Sequence, residues 1–276
     1  MLKNTVLYKS IFMKGVVVVM GYYIKGAYQM YYEIYGKGEP LLMIHGSTAS
    51  SLMLKDEANY YSNYFKVIVV DMIGHGKSER VKEFPVDYWK ENAKMLRGLC
   101  KKEGINRVNI LGTSGGAIVA LNFAINYPEN TYRVIADSFV GEKLSLQEAN
   151  TIKKEREKAK NNGGSGFWSY MHGEDWEKVI DADTNMLINY AKTYRNNFHS
   201  DLDKIGCPVL ITGSLKDEFI DNIEKRLCNV AKKIKHSIIL LSPDGVHPLM
   251  LSKKNFFRKV ALNFLKENTL IPEERE

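Results

Sequence analysis

Short apolar runs alternate with longer amphipathic segments along most of this chain. The runs are too short for helices and are bounded by turn residues, so they predict buried strands at 40–44, 65–70, 108–111, 132–136, 208–212 and 237–241. The segments between them predict helices at 51–64, 88–103, 117–127, 223–234 and 252–266. Two more strands, at 22–25 and 28–35, join at Gly26 and form an antiparallel edge. This alternation predicts an α/β fold with a largely parallel sheet covered on both faces.

The alternation stops between residues 142 and 203. A charged helical run comes first, followed by the small-residue stretch 161–166 and an aromatic-rich helical region. This segment predicts a helical insertion into the core and not an independent domain. We therefore expect a core of residues 21–141 and 204–276, a helical cap of residues 142–203, and an N-terminal extension of residues 1–20 with no assigned role.

Composition narrows the class of protein. The 276 residues are 45% hydrophobic and 26% charged, which is typical of a globular chain and argues against extensive disorder. The net charge is +7, but 39 basic residues are interleaved with 32 acidic ones, so we expect no nucleic-acid partner. No apolar run reaches the roughly 18 residues that a membrane helix needs, and we expect no membrane partner. Three cysteines without metal-ligand spacing suggest free thiols in a reducing, cytoplasmic compartment.

A G-x-S-x-G motif, from Gly112 to Gly116, lies between a predicted strand and a predicted helix. In this context the motif predicts a nucleophile elbow, a sharp turn that projects Ser114 from the bend. Such a turn crowds the positions two before and two after the serine, and both are glycines without a Cβ. The N–H of Gly115 falls at the first turn of the helix, where it can donate to a developing oxyanion.

A Gly-Lys-Ser tripeptide at 76–78 also follows a predicted strand and resembles part of a phosphate-binding loop. That motif requires a glycine at position 71, where this chain has Asp71. The segment also continues to Pro85 before a helix can begin. We therefore exclude a phosphate-binding loop and expect His75 to be a structural hydrogen-bonding residue.

A serine hydroxyl needs a base to remove its proton, and that base needs an acid to orient it. Enzymes with a nucleophile elbow carry these groups in the order serine, acid, histidine, each after a strand. Here Asp217 follows strand 208–212 and His247 follows strand 237–241, so both loops lie at the sheet edge expected for Ser114. The other histidines fit this role less well. The rival acids are Glu218, Asp137 and Asp244.

The second oxyanion donor is expected in the small-residue loop after the third predicted strand, and we choose the backbone N–H of Ser47 to join that of Gly115. We expect no metal ligand. Three cap aromatics are candidates for lining an apolar substrate pocket, with packing of the cap onto the core as the favoured alternative for each; they are Phe167, Trp168 and Trp176.

Together these residues resemble the α/β-hydrolase-fold serine hydrolases, over about residues 21–266. The resemblance rests on the joint order of His45-Gly46-Ser47, the segment 71–78, the Ser114 elbow, Asp217 and His247-Pro248. It implies an eight-stranded, mostly parallel sheet with helices on both faces, a cap inserted after the sixth strand, and no required cofactor. Many members carry a bulky residue after the serine, so Gly115 implies more room beside the nucleophile.

The leading hypothesis is a hydrolase that cleaves small or medium carboxylic esters through an acyl-enzyme on Ser114. Its partner would be a small-molecule ester or a related acyl substrate. The same fold hosts amidases, aminopeptidases, carbon–carbon bond hydrolases and cofactor-free haloperoxidases. An aminopeptidase would need an acidic subsite for the substrate amine, for which Glu174 or Asp175 are candidates. A ligand-binding protein without turnover is an alternative from another class. The natural substrate and the oligomeric state stay open.

Overall fold

The structure, a computed structural model, describes residues 9–13, 16–194 and 196–266. Within these residues the strands are β1 (Lys9–Met13), β2 (Val16–Lys25), β3 (Tyr28–Tyr35), β4 (Pro40–Ile44), β5 (Lys66–Val70), β6 (Val108–Thr113), β7 (Thr131–Asp137), β8 (Val209–Ser214) and β9 (Ser237–Ser242). The helices are α1 (Lys55–Tyr61), α2 (Tyr88–Lys102), α3 (Gly115–Asn126), α4 (Leu146–Asn161), α5 (Gly164–His172), α6 (Trp176–Thr193), α7 (Ile223–Ala231), α8 (Leu249–Ser252) and α9 (Lys254–Lys266). None of these helices is long and apolar enough to cross a membrane.

All of these strands form a single sheet in the order β1-β2-β3-β5-β4-β6-β7-β8-β9. Strands β4 to β9 run parallel, whereas β1, β2 and β3 pair antiparallel at one edge. The eight strands implied by the resemblance are β2 to β9, so the predicted α/β fold is confirmed. β1 adds a ninth strand, and β2 begins at Val16, within the residues treated as an extension. Residues 1–8 and 14–15 of that extension lie outside the described residues.

Alternate residues of the central strands face opposite sides of the sheet. In β4, Leu41 and Met43 pack into one apolar layer with α1 and α9. Leu42 and Ile44 pack into the opposite layer with α2, α3 and α7. Because helices cover both faces, nearly every strand position is apolar, which explains the continuous runs seen in the sequence.

Helices α4, α5 and α6, called the cap below, lie between β7 and β8 in the chain. Helix α4 begins with a capping box, in which the Ser145 hydroxyl accepts the N–H of Glu148 at 3.1 Å and the Glu148 carboxylate accepts the N–H of Ser145 at 2.7 Å. These bonds satisfy two backbone donors that the first helical turn leaves unpaired. They fix the point at which the chain leaves the core and enters the cap.

Arg80, in the loop after β5, joins the cap to the core. Its guanidinium binds both carboxylate oxygens of Asp175, at 2.8 and 2.9 Å. It also donates to the carbonyl oxygens of Gly76 at 2.8 Å and His172 at 2.9 Å. The Arg80 and Asp175 side chains are 33% and 38% exposed, so the directed hydrogen bonds contribute more than the screened charge attraction.

A fully buried hydrogen bond between His75 and Asp183 forms a second junction. His75 Nε2 lies 3.0 Å from Asp183 Oδ2, and both side chains are 0% exposed. Arg156 of α4 donates to the other carboxylate oxygen of Asp183 at 2.7 Å. Burial alone would raise the pKa of Asp183, but Arg156 and His75 beside it hold that pKa below its usual range. These contacts agree with the structural role expected for His75.

His172, the last residue of α5, forms a third junction. The N–H of Gly76 donates to His172 Nδ1 at 3.0 Å, so the hydrogen of the neutral ring lies on Nε2 and is donated to the carbonyl oxygen of Thr48 at 3.0 Å. Burial, together with the charges of His75 and Arg80, lowers the pKa of His172 to about 4, although the Thr48 carbonyl opposes this shift. The junction therefore requires the neutral ring.

Acid should destabilise the fold through His172. The unfolded chain takes up a proton at the ordinary histidine pKa of 6.5, whereas the folded chain does so only near pH 4. This contribution to stability is present above pH 6.5 and is lost as the pH falls toward 4, by about 2 kcal/mol at pH 5. The variant His172→Gln, whose amide can accept from Gly76 and donate to Thr48 without titrating, should lose about 2 kcal/mol less between pH 7.5 and pH 5 in urea unfolding.

The matched control is His236→Gln, because His236 is exposed immediately before β9. This control should show the same pH dependence as the wild type. Equal losses of stability in the wild type and in His172→Gln would show that another group is responsible.

Candidate active site

The topology places two loops of the candidate site side by side. β4 and β6 are neighbours in the sheet, but β4 leads to β5 on one side and β6 leads to β7 on the other. At such a switch point the loops at the carboxyl ends diverge and leave a crevice. The loop after β4 carries Ser47 and the turn after β6 carries Ser114, so both lie at this crevice.

Ser114 occupies the turn from β6 to α3 with φ 53° and ψ −121°, which is a strained conformation for a residue with a side chain. A Cβ on Gly112 would collide with the carbonyl group of Gly116. A Cβ on Gly116 would collide with the carbonyl oxygens of Ile44 and His45. The close backbone approach expected at both glycines is therefore present, and it holds the loop after β4 against the elbow.

The loop after β4 contacts the elbow at two residues. The position of a Cβ on Gly46 is 3.0 Å from Ser114 Cβ, and Ser47 Oγ is 2.7 Å from the position of a Cβ on Gly115. The edge of the Trp89 indole lies 3.1 Å from that same position. The expectation of extra room beside the nucleophile is therefore wrong, because the Ser47 hydroxyl and the Trp89 ring fill the space.

Buried His45 orients the peptide group that precedes Ser47. Its Nε2 accepts the N–H of Met72 at 3.0 Å, so Nδ1 carries the hydrogen and donates to the carbonyl oxygen of Gly46 at 2.7 Å. Burial, with the charge of His75 nearby, lowers the pKa of His45 well below its ordinary value and keeps the ring neutral. In a trans peptide the carbonyl and the following N–H point in opposite directions. The hydrogen bond to Gly46 therefore also sets the direction of the Ser47 N–H.

The structure brings the side chains of Asp217 and His247 together. His247 Nδ1 lies 2.8 Å from Asp217 Oδ2, and the two side chains are 13% and 0% exposed, respectively. The other oxygen of Asp217 accepts the N–H groups of Phe219 at 3.0 Å and Ile220 at 3.1 Å. The loop thus fixes one oxygen of the carboxylate and leaves the other for the imidazole.

Two of the rival acids have other partners. The Glu218 carboxylate accepts the backbone N–H of His247 at 2.8 Å, so it holds the main chain and not the ring. Asp244 pairs with Lys253 at the surface. Neither contact orients the His247 imidazole.

The third rival acid, Asp137, connects the elements around the candidate site. Its carbonyl oxygen accepts the N–H of Ser114 at 2.8 Å. Its fully buried carboxylate accepts hydrogen bonds from two strand ends, from its own neighbour and from the segment after His247, and the donors are Thr113, Thr212, Ser138 and Met250. Burial raises the pKa of Asp137, and these hydrogen bonds oppose that shift. Asp137 therefore tethers the elbow to the segment that carries His247.

Ser114 is linked to this segment through Asp137 and not through its own side chain. Within the part of the chain that the structure describes, its hydroxyl forms no hydrogen bond to His247, whereas the His247 ring is bonded to Asp217. Bonds between a nucleophile and its base are often long until a substrate is bound. The structure thus pairs Asp217 with His247 after β8 and β9, and places Ser114 after β6, which β7 separates from β8.

Phe219 packs edge-on against the His247 ring, with ring centroids 5.3 Å apart and an interplanar angle of 88°. It is 68% exposed, and Leu215 and Val246 on the same two loops are also exposed. Sequence reasoning did not select these residues. Their signal in the sequence is that they are apolar and lie within two residues of Asp217 or His247.

The three cap aromatics differ in their surroundings. Trp168 and Trp176 stack with centroids 5.7 Å apart and an interplanar angle of 25°, so this contact packs α5 on α6. Trp168 is 6% exposed, whereas Phe167 is 44% exposed. Across the residues that the structure describes, no three histidine, cysteine or carboxylate side chains are arranged to hold a metal ion.

Several known proteins are similar in sequence to this chain. A family model described as "alpha/beta hydrolase fold" matches residues 39–152, which include the loop after β4 and the Ser114 elbow. The serine hydrolase BPHL of Homo sapiens is 26% identical over 250 residues, covering 86% of this chain and 83% of that protein. The 2-hydroxy-6-oxo-6-phenylhexa-2,4-dienoate hydrolase of Comamonas testosteroni is 34% identical over 113 residues, which are 38% of each chain.

Two solved structures share the fold over nearly the whole chain. A thermophilic esterase from Thermogutta terrifontis superposes with a TM-score of 0.69 at 20% identity, covering 94% of this chain and 98% of that one. The enol-lactonase from Burkholderia xenovorans LB400 gives a TM-score of 0.70 at 18% identity, covering 89% and 100%. The family match includes the elbow, the relative that aligns over most of the chain is a hydrolase, and the solved structures share the fold, so this protein is a hydrolase with the α/β-hydrolase fold.

Proposed function

We propose that the protein hydrolyses small or medium carboxylic esters through an acyl-enzyme on Ser114. His247 is the general base, Asp217 orients it, and the N–H groups of Ser47 and Gly115 form the oxyanion hole. The observation that carries this proposal is the 2.8 Å hydrogen bond between Asp217 and His247, at the same sheet edge as the strained elbow. Residues 142–203 act as the cap over this edge.

The proposed reaction uses each group in turn. His247 takes the proton of the Ser114 hydroxyl as Oγ attacks the ester carbonyl carbon, and the carbonyl oxygen becomes the oxyanion. The protonated His247 then gives this proton to the leaving alcohol as the carbon–oxygen bond breaks. A water molecule deprotonated by His247 attacks the acyl-enzyme and releases the carboxylic acid, which regenerates Ser114.

Asp217 supports this cycle by fixing the tautomer of His247. Its Oδ2 receives the hydrogen on Nδ1, which leaves the lone pair on Nε2 free to accept the serine proton. The positive charge that forms on the imidazole is stabilised by a carboxylate that water does not reach. Two backbone N–H groups prevent that carboxylate from turning away.

The surroundings of the cap acids support an ester substrate over an aminoacyl one. Asp175 is bound on both oxygens by Arg80, so its charge is already matched and it is a poor site for a substrate amine. Glu174, the other candidate, is exposed. A complete set of nucleophile, base and acid also argues against a protein that only binds its ligand.

Ser114→Ala should abolish activity. A fluorophosphonate probe should label the wild type and fail to label the variant, and hydrolysis of p-nitrophenyl acetate should fall by about 10⁴-fold or more. Ser169→Ala, which alters an exposed serine of α5, should keep wild-type labelling and turnover. Equal labelling of Ser114→Ala and wild type would remove Ser114 as the nucleophile.

Substitution of Asp217 and of Asp137, one at a time, shows which of the two carboxylates orients His247. Asp217→Asn should lower kcat by about 10³–10⁴-fold, because an amide can donate to Nδ1 and favour the wrong tautomer. Asp137→Asn should lower the melting temperature but change kcat by less than about tenfold, because Asp137 tethers strand ends and does not contact the ring. The opposite ranking of kcat losses would make Asp137 the acid.

A matched substrate panel tests the class of bond. The values of kcat/KM for p-nitrophenyl esters should be highest between acetyl and octanoyl, and the p-nitroanilide of the preferred acyl group should be cleaved at least about 100-fold more slowly. A vinylogous 1,5-diketone, cleaved between two carbons, provides the third arm. Faster turnover of the anilide or of the diketone than of every ester would overturn the ester assignment.

A further inference from the structure

Both the side chain and the backbone N–H of Ser47 lie at the proposed oxyanion hole. Its Oγ is 2.7 Å from the position that a Cβ on Gly115 would occupy. Such a Cβ would be bonded to the same Cα as the amide nitrogen of Gly115. The preceding residue, Gly46, lies against Ser114 in the same way. A hydroxyl group thus lies against Gly115, the residue whose N–H is expected to bind the oxyanion together with that of Ser47.

This hydroxyl is available to a ligand. In the same loop, Ser50 Oγ donates to the sulfur of Met171 at 3.2 Å, so that side chain is already used. Over residues 9–13, 16–194 and 196–266, by contrast, neither the Ser47 hydroxyl nor the Gly115 N–H has a hydrogen-bond partner. Polar groups with no partner in the protein must be satisfied by solvent or by a bound molecule.

The residues around Ser47 hold its hydroxyl group in place and limit the access of water to it. Trp89 is 2% exposed, and its ring edge lies 3.1 Å from the same Cβ position on Gly115. The carbonyl groups on both sides of Ser47 are also held, because Gly46 accepts from His45 at 2.7 Å and Thr48 accepts from His172 at 3.0 Å. Donors that are fixed before the reaction and shielded from water stabilise charge most strongly.

We propose that the Ser47 hydroxyl is a third hydrogen-bond donor to the oxyanion, beside the N–H groups of Ser47 and Gly115. The proposal rests on the acyl-transfer function given above. The hydroxyl rotates about its carbon–oxygen bond, so it can follow the carbonyl oxygen as negative charge develops. It therefore stabilises the transition state more than the bound ester, and its loss lowers kcat with little change in KM.

The test compares Ser47→Ala with the wild type. This variant keeps the backbone N–H and removes only the hydroxyl. With p-nitrophenyl butyrate, kcat should fall by about 10- to 100-fold while KM changes by less than about threefold. Active sites are counted by fluorophosphonate labelling, so that the rates refer to folded protein alone.

A matched pair of inhibitors separates a catalytic role from a structural one. With 1,1,1-trifluoro-2-hexanone, Ser114 Oγ adds to the carbonyl carbon, its proton passes to His247, and the carbonyl oxygen becomes an oxyanion. 2-Hexanone binds without this addition, so its carbonyl oxygen does not become an oxyanion. Ser47→Ala should raise the inhibition constant of the trifluoroketone by the same factor by which kcat/KM falls, and leave that of 2-hexanone within about twofold. The control Ser50→Ala, which removes the hydroxyl bound to Met171, should change neither factor.

The results of these experiments distinguish failure of the third donor from failure of the proposed function. Unchanged kcat and unchanged trifluoroketone inhibition in Ser47→Ala would overturn the third donor, and so would equal weakening of both inhibitors. If Ser114→Ala retains hydrolysis, the proposed function itself fails. If Ser114 is required but Ser47→Ala behaves like the wild type, only the role of the Ser47 hydroxyl is lost.

Discussion

The contact of backbone against backbone at the turn after β6 is the constraint on which the candidate site depends. Gly116 approaches both Gly112 and the end of β4 so closely that no Cβ fits at either glycine. This approach strains Ser114 into a conformation with positive φ and brings the loop after β4 beside it. The same constraint therefore sets the conformation of Ser114, the proposed nucleophile, and the position of Ser47, which is why one short turn governs both.

Three buried aspartates show how partners decide the role of a carboxylate. A carboxylate inside a protein needs hydrogen bonds or positive charge, because burial alone favours the neutral acid. Asp183 is matched by Arg156 and His75, and Asp137 by hydroxyl and N–H groups. Asp217 instead faces an imidazole that remains 13% exposed. Of these three aspartates, Asp217 is the one whose partner, the His247 imidazole, can exchange a proton with a substrate. The imidazole can do so while it stays hydrogen-bonded to the Asp217 carboxylate.

Local patterns in the sequence predict the elements, and contacts between distant residues explain what the patterns miss. The apolar runs predicted the central strands because both faces of a parallel sheet are buried. The room beside Gly115 could not be judged, since Trp89 and Ser47 reach that space from other elements. The charge of Asp175 is matched by Arg80, 95 residues away along the chain. The choice between Asp217 and Glu218 depends on the turn of one loop, which composition does not show.

The cap and the loop that carries the proposed oxyanion-hole residue Ser47 are parts of one hydrogen-bonded system. His172 of α5 holds the carbonyl group of Thr48, and His45 holds that of Gly46, so both peptide groups flanking Ser47 are directed by neutral, buried rings. Protonation would add a hydrogen where each ring now accepts an N–H group, from Gly76 and from Met72. Acid would then disturb the docking of the cap and the direction of the Ser47 donors together. The low pKa values of these two histidines are therefore a requirement of the site as well as a consequence of burial.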